Sequence, residues 1–519
     1  MRVYPAFSIR NKNLVKTKFS LLFLVGGCVT LLLLSMVSIQ TTHTVLESPM
    51  NLDTPNITRL SDTGFVTDVP YVWQQINGLC YSATLSMALQ SLGIDYDLAA
   101  ICAATGMGFS TGYVRYEDTL ILLPGPMYYQ QSTLCTFADL LGLEAEFYMD
   151  PDSSEYGPLL STLLDSQNVP WMEIDGWDDA FQILKDSIDD GFPVGIYVNL
   201  QNLPPEDYNL IRELGITDVN PTHSVLVTGY NETTESVQIM DPAIGLFDSP
   251  ATFPEDGSWL YDVNFTSLNQ AWRGYYAITI IKPSIGETDT FSHDLATYII
   301  NRLRGDRNSY APENDELFFW NYGSDAFRAL ASDLTYTGLI QFMDEFDEYD
   351  LQTKSLIFQN LGIEIETSLT LMYNSYKLAI ESLPSILSEL NLEDFISTCE
   401  LAFEHFQVFA DNDTINTPFY YGGIKLVTET TEDIAYQYEQ ELDGDLSAAL
   451  SMYNEDLAEI RSHLIAIANV WDDAATALEK AIAKPGIPLL PSMGGVGAIV
   501  VLTAAIIGKR RRDAGTKIT

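Results

Sequence analysis

The spacing of apolar residues divides the chain into a mixed first part and a helical second part. Helical spacing begins at Tyr81 and stops at Gly93. Further helices are predicted at residues 97–105, 137–143 and 177–188, and strands at residues 193–198, 223–230, 236–240 and 275–281. Helices followed by a mostly antiparallel sheet predict an α+β domain over residues 65–283.

Residues 284–482 carry long amphipathic patterns, separated by glycine and proline, that predict an all-α domain. The predicted helices cover residues 295–303, 325–334, 355–361, 368–381, 392–410, 429–442 and 446–483. Their aromatic residues fit core positions better than a cofactor site. The sequence of this domain identifies no catalytic group and no partner.

Each end of the chain has an apolar run beside basic residues. Five basic residues precede the run from Phe19 to Ile39, and Lys509 to Arg512 follow a run that ends at Gly508. Runs of about twenty apolar residues with basic flanks are typical of membrane-spanning helices, whereas a buried core helix would leave the flanks unexplained. The sequence therefore predicts hydrophobic segments at both termini.

The predicted organisation follows from these patterns. It is a signal peptide or signal anchor at residues 1–40, a linker at 41–64, the α+β domain at 65–283, the helical domain at 284–482, a Pro-rich spacer with a C-terminal transmembrane helix at 483–508, and a basic cytoplasmic tail at 509–519. Positive charge beyond both apolar runs predicts that both ends face the cytoplasm. We therefore expect a cell-membrane protein whose main domains, within residues 41–486, are extracytoplasmic.

Charge and cysteine content narrow the possible partners. The formal net charge is −45, and ten of the 26 basic residues stand at the two tips, so the middle is more acidic still. Such a surface repels phosphate backbones, and no nucleic-acid partner is expected. Five cysteines without a Cys-x-x-Cys pair indicate no metal site. Cys102 and Cys135 leave two alternatives open, a disulfide or two buried thiols.

Cys80 is the first candidate for chemistry. It precedes the helix that begins at Tyr81, where the positive end of the helix dipole favours a thiolate over a thiol. Gln74 lies upstream of it, beyond the Asn77-Gly78 turn. Its side-chain NH₂ and the backbone N–H of Cys80 together suit an oxyanion. These two residues predict the first half of a cysteine acyl-transfer site.

The second half requires a base, and the chain has only five histidines. His223 opens an apolar strand that ends at Gly229, and the next strand, residues 236–240, is followed by Asp241. Pairing of these two strands would bring His223 to Asp241. The sequence thus predicts a catalytic set of Cys80, His223, Asp241 and Gln74, with His223 as base and Asp241 as the carboxylate that orients it.

This ordered set resembles papain-like cysteine enzymes. The chain is similar to the bacteriocin-processing cysteine peptidases in Val69-Pro70-Tyr71, Gln74, Cys80, Ala83, Met87 and Gly93, then in His223, Gly229-Tyr230 and Asp241-Pro242, and finally in Phe265, Trp272 and Ile278. The stretch from Gly106 to Tyr113 and the downstream helical domain resemble butirosin biosynthesis protein H, whose N-terminal domain is also similar. The resemblance covers residues 65–283 well and 284–482 loosely. Tyr81 departs from the glycine that many relatives carry after the nucleophile, which concerns the shape of the cleft.

The resemblance implies a cysteine on a helix that faces a histidine on a sheet, with no metal or organic cofactor. The expected activity is that of a cysteine peptidase or amidase acting on a peptide or amide substrate. Two alternatives are an acyltransferase like butirosin H, which passes the acyl group to an amine, and a surface binding protein without catalysis. Hydrolysis is favoured because carrier proteins that donate acyl groups work in the cytoplasm, whereas residues 41–486 are predicted to lie outside.

Overall fold

The computed structural model describes residues 57–60, 62–76, 78–116, 119–124, 138, 140–153, 161, 171–209, 212, 223–246, 251–274, 276–283, 291–306, 320–410 and 426–483. Within these ranges a mixed N-terminal part is followed by a helical region, which confirms the predicted order of fold classes. Both terminal apolar runs, and with them the predicted anchors, lie outside the described residues. Among the helices of the described ranges, none is long and apolar enough to cross a membrane.

The strands form one large sheet and one small sheet. In chain order they are β1 (Ile57–Leu60), β2 (Thr63–Val66), β3 (Thr111–Tyr116), β4 (Thr119–Pro124), β5 (Leu143–Met149), β6 (Met172–Glu173), β7 (Val194–Val198), β8 (His223–Asn231), β9 (Ser236–Met240), β10 (Leu260–Asn264), β11 (Ile278–Pro283) and β12 (Trp320–Tyr322). The large sheet has the order β1-β2-β8-β7-β11-β5-β6, with β9 paired to β8 and β10 paired to β9. The small sheet has the order β12-β3-β4. Pairing in the large sheet is antiparallel except between β5 and β6, as the prediction of a mostly antiparallel sheet requires.

The helices of the mixed part are α1 (Cys80–Ser91), α2 (Leu98–Ala104), α3 (Gly176–Asp190) and α4 (Phe265–Trp272). Those of the helical region are α5 (Phe291–Arg304), α6 (Gly323–Asp333), α7 (Tyr336–Asp344), α8 (Leu351–Ile386), α9 (Glu393–Phe406), α10 (Leu426–Tyr436), α11 (Leu446–Met452) and α12 (Asn454–Ile482). Short 3₁₀ turns occur at Met107–Phe109, Leu200–Asn202 and Glu206–Tyr208. A π-helical turn at Gln437–Glu441 follows α10.

Some element boundaries differ from the prediction. The helices predicted at 355–361 and 368–381 are one helix, α8, because Gly362 does not end it but lets it pack closely against Thr431 of α10. The helix predicted at 446–483 is instead divided between α11 and α12 at Tyr453. Strands β1 and β2 pair with each other, and β2 also pairs with β8, although the sequence predicts the end of a linker at these positions.

The central strands β7 and β8 of the large sheet are buried on both faces, and side-chain alternation divides their apolar residues between two cores. On β7, Val194, Ile196 and Val198 belong to the core formed with α3 and α4, whereas Tyr197 belongs to the core on the α1 side. On β8, Val225 and Leu226 divide in the same way. Successive residues of a strand point to opposite faces, and both faces are buried here. Apolar residues therefore occupy consecutive positions, and these strands appear in the sequence as continuous apolar runs.

The helical region and the mixed part share one hydrophobic core, which crosses the predicted boundary between residues 283 and 284. Strand β12 of the helical region completes the small sheet by pairing with β3. Asp333 on α6 accepts a hydrogen bond of 2.6 Å from Tyr113 and pairs with Arg115, both on β3. At Gly108 a Cβ would lie 2.5 Å from the Cβ of Ala379 on α8, so the stretch after α2 is a tightly packed turn.

Candidate active site

Cys80 is the first residue of α1 and is buried. The helix starts without a side-chain cap, so no capping side chain occupies the backbone N–H groups of its first turn. The chain reaches this position through a tight reversal in which Gln75 and Gly78 have φ angles of 58° and 92°. The thiol therefore lies at the positive end of the helix, as the sequence predicts.

His223 and Asp241 meet in the way that the antiparallel pairing of β8 and β9 requires. Leu226 is the register partner of Met240, so the end of β9 runs toward the start of β8. The Nε2 atom of His223 lies 2.7 Å from Oδ1 of Asp241. This contact leaves the other ring nitrogen, Nδ1, for the thiol of Cys80.

The Asp241 carboxylate is 0% exposed and has four hydrogen-bonding partners among the described residues. Oδ1 also accepts a bond of 3.0 Å from the backbone N–H of Ala243. Oδ2 accepts bonds of 2.7 Å from the hydroxyls of both Tyr208 and Tyr261. Burial and the charge of Asp241 raise the pKa of both phenols well above the usual value, so both remain protonated donors.

Sequence reasoning missed these two tyrosines. Tyr261 lies on β10, which pairs with β9 but has no clear alternating pattern, and Tyr208 lies in a short 3₁₀ turn. Neither stands at a fixed spacing from Asp241 that a motif would reveal. Only the three-dimensional arrangement brings them to the carboxylate.

Electrostatics favour an ion pair between the thiol and the imidazole. Burial opposes ionisation of Cys80, but His223, by hydrogen bond and by charge, and the backbone N–H groups of Ser224 and Tyr81 lower its pKa. Burial likewise opposes protonation of His223, yet the charge and hydrogen bond of Asp241 and the contact with Cys80 raise its pKa. For Asp241 burial raises the pKa of the carboxyl, but the charge and hydrogen bond of His223, together with the bonds from Tyr261 and Ala243, lower it below its usual value. The arrangement can therefore hold a thiolate and an imidazolium side by side.

Gln74 is buried on the segment that leads to Cys80. Its Nε2 donates a hydrogen bond of 3.0 Å to the carbonyl oxygen of Ile76, which uses one of the two amide hydrogens. Its Oε1 is buried and has no hydrogen-bond partner within the described residues. One donor of the side chain thus remains for another acceptor.

The segment that carries Gln74 is bound to the loop that follows Asp241. The backbone N–H of Gln74 donates to the carbonyl of Pro242 at 3.0 Å, and the indole of Trp73 donates to the carbonyl of Ile244 at 3.1 Å. The hydroxyl of Tyr71 donates to the carbonyl of Asp241 at 3.1 Å. These bonds hold the approach to the nucleophile against the carboxylate loop.

Tyr81, the residue that departs from many relatives, is buried and stacks on Tyr197 with ring centroids 6.1 Å apart. Its ring therefore packs between α1 and β7.

Of the cysteines that the structure describes, Cys102 and Cys399 are free, buried thiols whose pKa burial raises to about 12. Cys102 thus agrees with the buried-thiol alternative, and Cys135 lies outside the described residues.

The remaining described histidines belong to the helical region. His405 on α9 and His463 on α12 face each other with their Nδ1 atoms 3.0 Å apart, and His293 lies near the start of α5. His43 lies outside the described residues. Across the described ranges, no group of three or more His, Cys, Asp or Glu side chains could hold a metal ion. His223 is therefore the described histidine that the fold brings to Cys80.

Comparison with known proteins agrees with this geometry. No curated protein matches the chain. Residues 66–248, which include Gln74, Cys80, His223 and Asp241, match the family described as Peptidase_C39 like. This match confirms the resemblance to papain-like cysteine peptidases and supports a cysteine peptidase-type function for this part of the chain.

Proposed function

We propose that the protein is a membrane-anchored, extracytoplasmic cysteine peptidase or amidase that uses Cys80, His223 and Asp241 as a catalytic triad. The observation that carries the proposal is the imidazole of His223, which contacts the buried carboxylate of Asp241 on one side and acts on Cys80 on the other. The family match over residues 66–248 supports the same class of activity.

In the proposed reaction, the thiolate of Cys80 attacks the carbonyl carbon of a peptide or amide, and the carbonyl oxygen takes the negative charge. The imidazolium of His223 then donates its proton to the leaving amine as the C–N bond breaks, which gives a thioester. Water next attacks the thioester while His223 accepts one of its protons. The carboxylic acid leaves, and the thiolate–imidazolium pair is restored.

Asp241 and Gln74 have supporting roles in this proposal. Asp241 fixes the ring orientation of His223 and stabilises its positive charge. The carboxylate can do so because hydrogen bonds from Ala243, Tyr208 and Tyr261 hold it in place. The free amide hydrogen of Gln74 and the backbone N–H of Cys80 are the proposed donors to the oxyanion.

We expect Cys80 to alkylate with a pH midpoint below that of an ordinary thiol. The midpoint is expected to be low because the pKa of Cys80 is lowered and the pKa of His223 is raised. At pH values between these two pKa values, Cys80 is a thiolate and His223 is an imidazolium. The measurement is the rate of iodoacetamide modification of the Cys80 peptide against pH, read by mass spectrometry. His223→Ala should move the midpoint upward, because burial then acts on the thiol without its cationic partner. An ordinary midpoint in the wild-type protein would contradict the proposal and favour a binding protein without catalysis.

Turnover should separate the roles of the triad members. Cys80→Ala should abolish hydrolysis, and His223→Ala should lower kcat/KM by about 10²–10⁴-fold, the range of general acid–base catalysis. Asp241→Ala should lower it by a smaller factor, because orientation contributes less than proton transfer itself. Asp333→Asn is the matched control, since Asp333 also accepts a tyrosine hydroxyl but does so at the small sheet, without a contact to His223 or Cys80 among the described hydrogen bonds. Equal losses in Asp333→Asn and Asp241→Ala would indicate a general effect on folding and would remove Asp241 from the proposed triad.

An acyltransferase is the second candidate, because a thioester on Cys80 can pass its acyl group to an amine instead of water. We expect hydrolysis, since acyl-carrier proteins work in the cytoplasm and the main domains are proposed to be outside. Product analysis with a peptide library, with and without added amines, distinguishes the two. Free acids should dominate under both conditions, and a majority of amine adducts would favour the transferase.

The proposed location depends on the two terminal apolar runs and their basic flanks. Protease added to intact cells should remove epitopes within residues 41–486 and spare a tag at either end of the unprocessed chain. Cells opened with detergent are the control, in which every epitope should be lost. Protection of the middle epitopes in intact cells would contradict the extracytoplasmic location.

A further inference from the structure

A small cavity lies between α1, the helix that begins with Cys80, and the large sheet. Its helix side is the face of α1 that includes Tyr81 and Thr84, and its sheet side comes from β7, β8 and β11. The hydroxyl of Thr84 donates to the carbonyl of Ser224 at 3.2 Å and so joins α1 to β8 at the edge of the cavity. Two of its lining residues, Tyr81 and Ser224, directly follow Cys80 and His223 in the sequence.

Three hydroxyl groups in the cavity wall are not satisfied by the protein. They belong to Tyr197 on β7, Ser224 on β8 and Thr279 on β11, and each residue is more than nine-tenths buried. Within the described part of the chain, none of the three oxygen atoms has a hydrogen-bond partner. A buried hydroxyl without a partner is destabilising, so three around one cavity point to a ligand that binds them.

The cavity also lies within electrostatic reach of the thiol. Burial raises the pKa of the Tyr197 phenol, and the charge of Cys80 raises it further, so Tyr197 stays a protonated donor beside the thiolate. The hydroxyls of Thr279 and Tyr81 lie close enough to lower that pKa in part, although neither Tyr197 nor Thr279 attains hydrogen-bond geometry with another described group. The hydroxyls of Tyr197 and Thr279 therefore keep hydrogen-bonding capacity for a molecule in the cavity.

The size of the cavity decides which molecule fits. Its volume is about 20 Å³. One water needs roughly 10–15 Å³ on the same measure, together with two to four polar partners. The cavity therefore has room for an ordered water, which finds three hydroxyls within the wall.

We propose that this cavity is a water site that supports the nucleophile: one ordered water bridges the hydroxyls of Tyr197, Ser224 and Thr279, and the hydrated cluster stabilises the Cys80 thiolate. The bridged phenol of Tyr197 directs its O–H dipole toward the negative sulfur. Tyr197 and Thr279 are then positioning residues that act on the thiolate through their hydroxyl groups. The proposal rests on the proposed function, since it assigns a role to the thiolate of that site.

The test is the pH dependence of Cys80 alkylation in the purified full-length chain. Tyr197→Phe removes one hydroxyl and keeps the ring, and it should raise the midpoint by about half to one pH unit, the effect expected when a donor beside a charge is lost. Thr279→Val should raise the midpoint as well, whereas Thr279→Ser, which retains the hydroxyl, should restore it. This Val/Ser pair keeps the test valid if Tyr197→Phe does not fold.

Tyr113→Phe is the matched control, because Tyr113 is also buried but donates to Asp333 at the small sheet. It should leave the midpoint unchanged. A crystal structure at high resolution should show one water within hydrogen-bond distance of at least two of the three hydroxyls, and Thr279→Val should weaken or remove it.

Unchanged midpoints in both Tyr197→Phe and Thr279→Val, or a crystal structure in which the hydroxyls bind one another without a water, would overturn the proposal. These outcomes are distinct from failure of the proposed function. If the proposed function failed, the wild-type thiol itself would titrate as an ordinary cysteine. If only the water site failed, the low midpoint of the wild-type thiol would remain, and the substitutions at the cavity would not change it.

Discussion

The buried carboxylate of Asp241 is the constraint on which the site depends. A carboxylate removed from water costs several kcal/mol unless charges and donors replace its hydration. In this protein four donors do so, from His223, Ala243, Tyr208 and Tyr261. They come from β8, the loop after β9, a 3₁₀ turn and β10. These separate segments therefore have to converge on one point for the fold to hold the charge.

This convergence also fixes the approach to the nucleophile. Because Tyr71, Trp73 and Gln74 donate to carbonyls of residues 241–244, the loop that begins with the carboxylate also carries the segment that ends at Cys80. The loop is held in turn by Asp207, whose side chain accepts the backbone N–H of Gly245 at 2.6 Å. Gly245 has a φ of 76°, which favours glycine at this position. The thiol and the imidazole are thus supported by the same network.

The sequence predicts the parts of this site that depend on periodicity. A helix after Cys80, a strand that begins at His223 and a second strand that ends just before Asp241 all follow from spacing alone. Antiparallel pairing then brings the start of the first strand next to the end of the second. The tyrosines on Asp241 do not follow, because Tyr208 and Tyr261 come from segments with no local signal. The β1–β2 hairpin is missed for a similar reason: four-residue strands in a polar context gain their stability from pairing with β8. In the sequence, Gly362 suggests the end of a helix. In the structure it lies inside α8, because the close packing of α8 against Thr431 of α10 leaves no space for a side chain there.

The helical region contributes to the site through the turn before Cys80. Gly78 has a φ of 92°, and a Cβ there would lie 2.7 Å from a methyl carbon of Leu371 on α8. The same helix receives the close approach at Gly108, and its Ser368 donates to the carbonyl of Leu122 on β4 at 2.7 Å. One long helix therefore packs against the reversal that delivers the nucleophile and against the turn and hairpin that follow α2. Because close-packed interiors transmit small displacements, the position of Cys80 depends on α8 as well as on the sheet. The helical region is thus a structural part of the site, although no catalytic group is proposed within it.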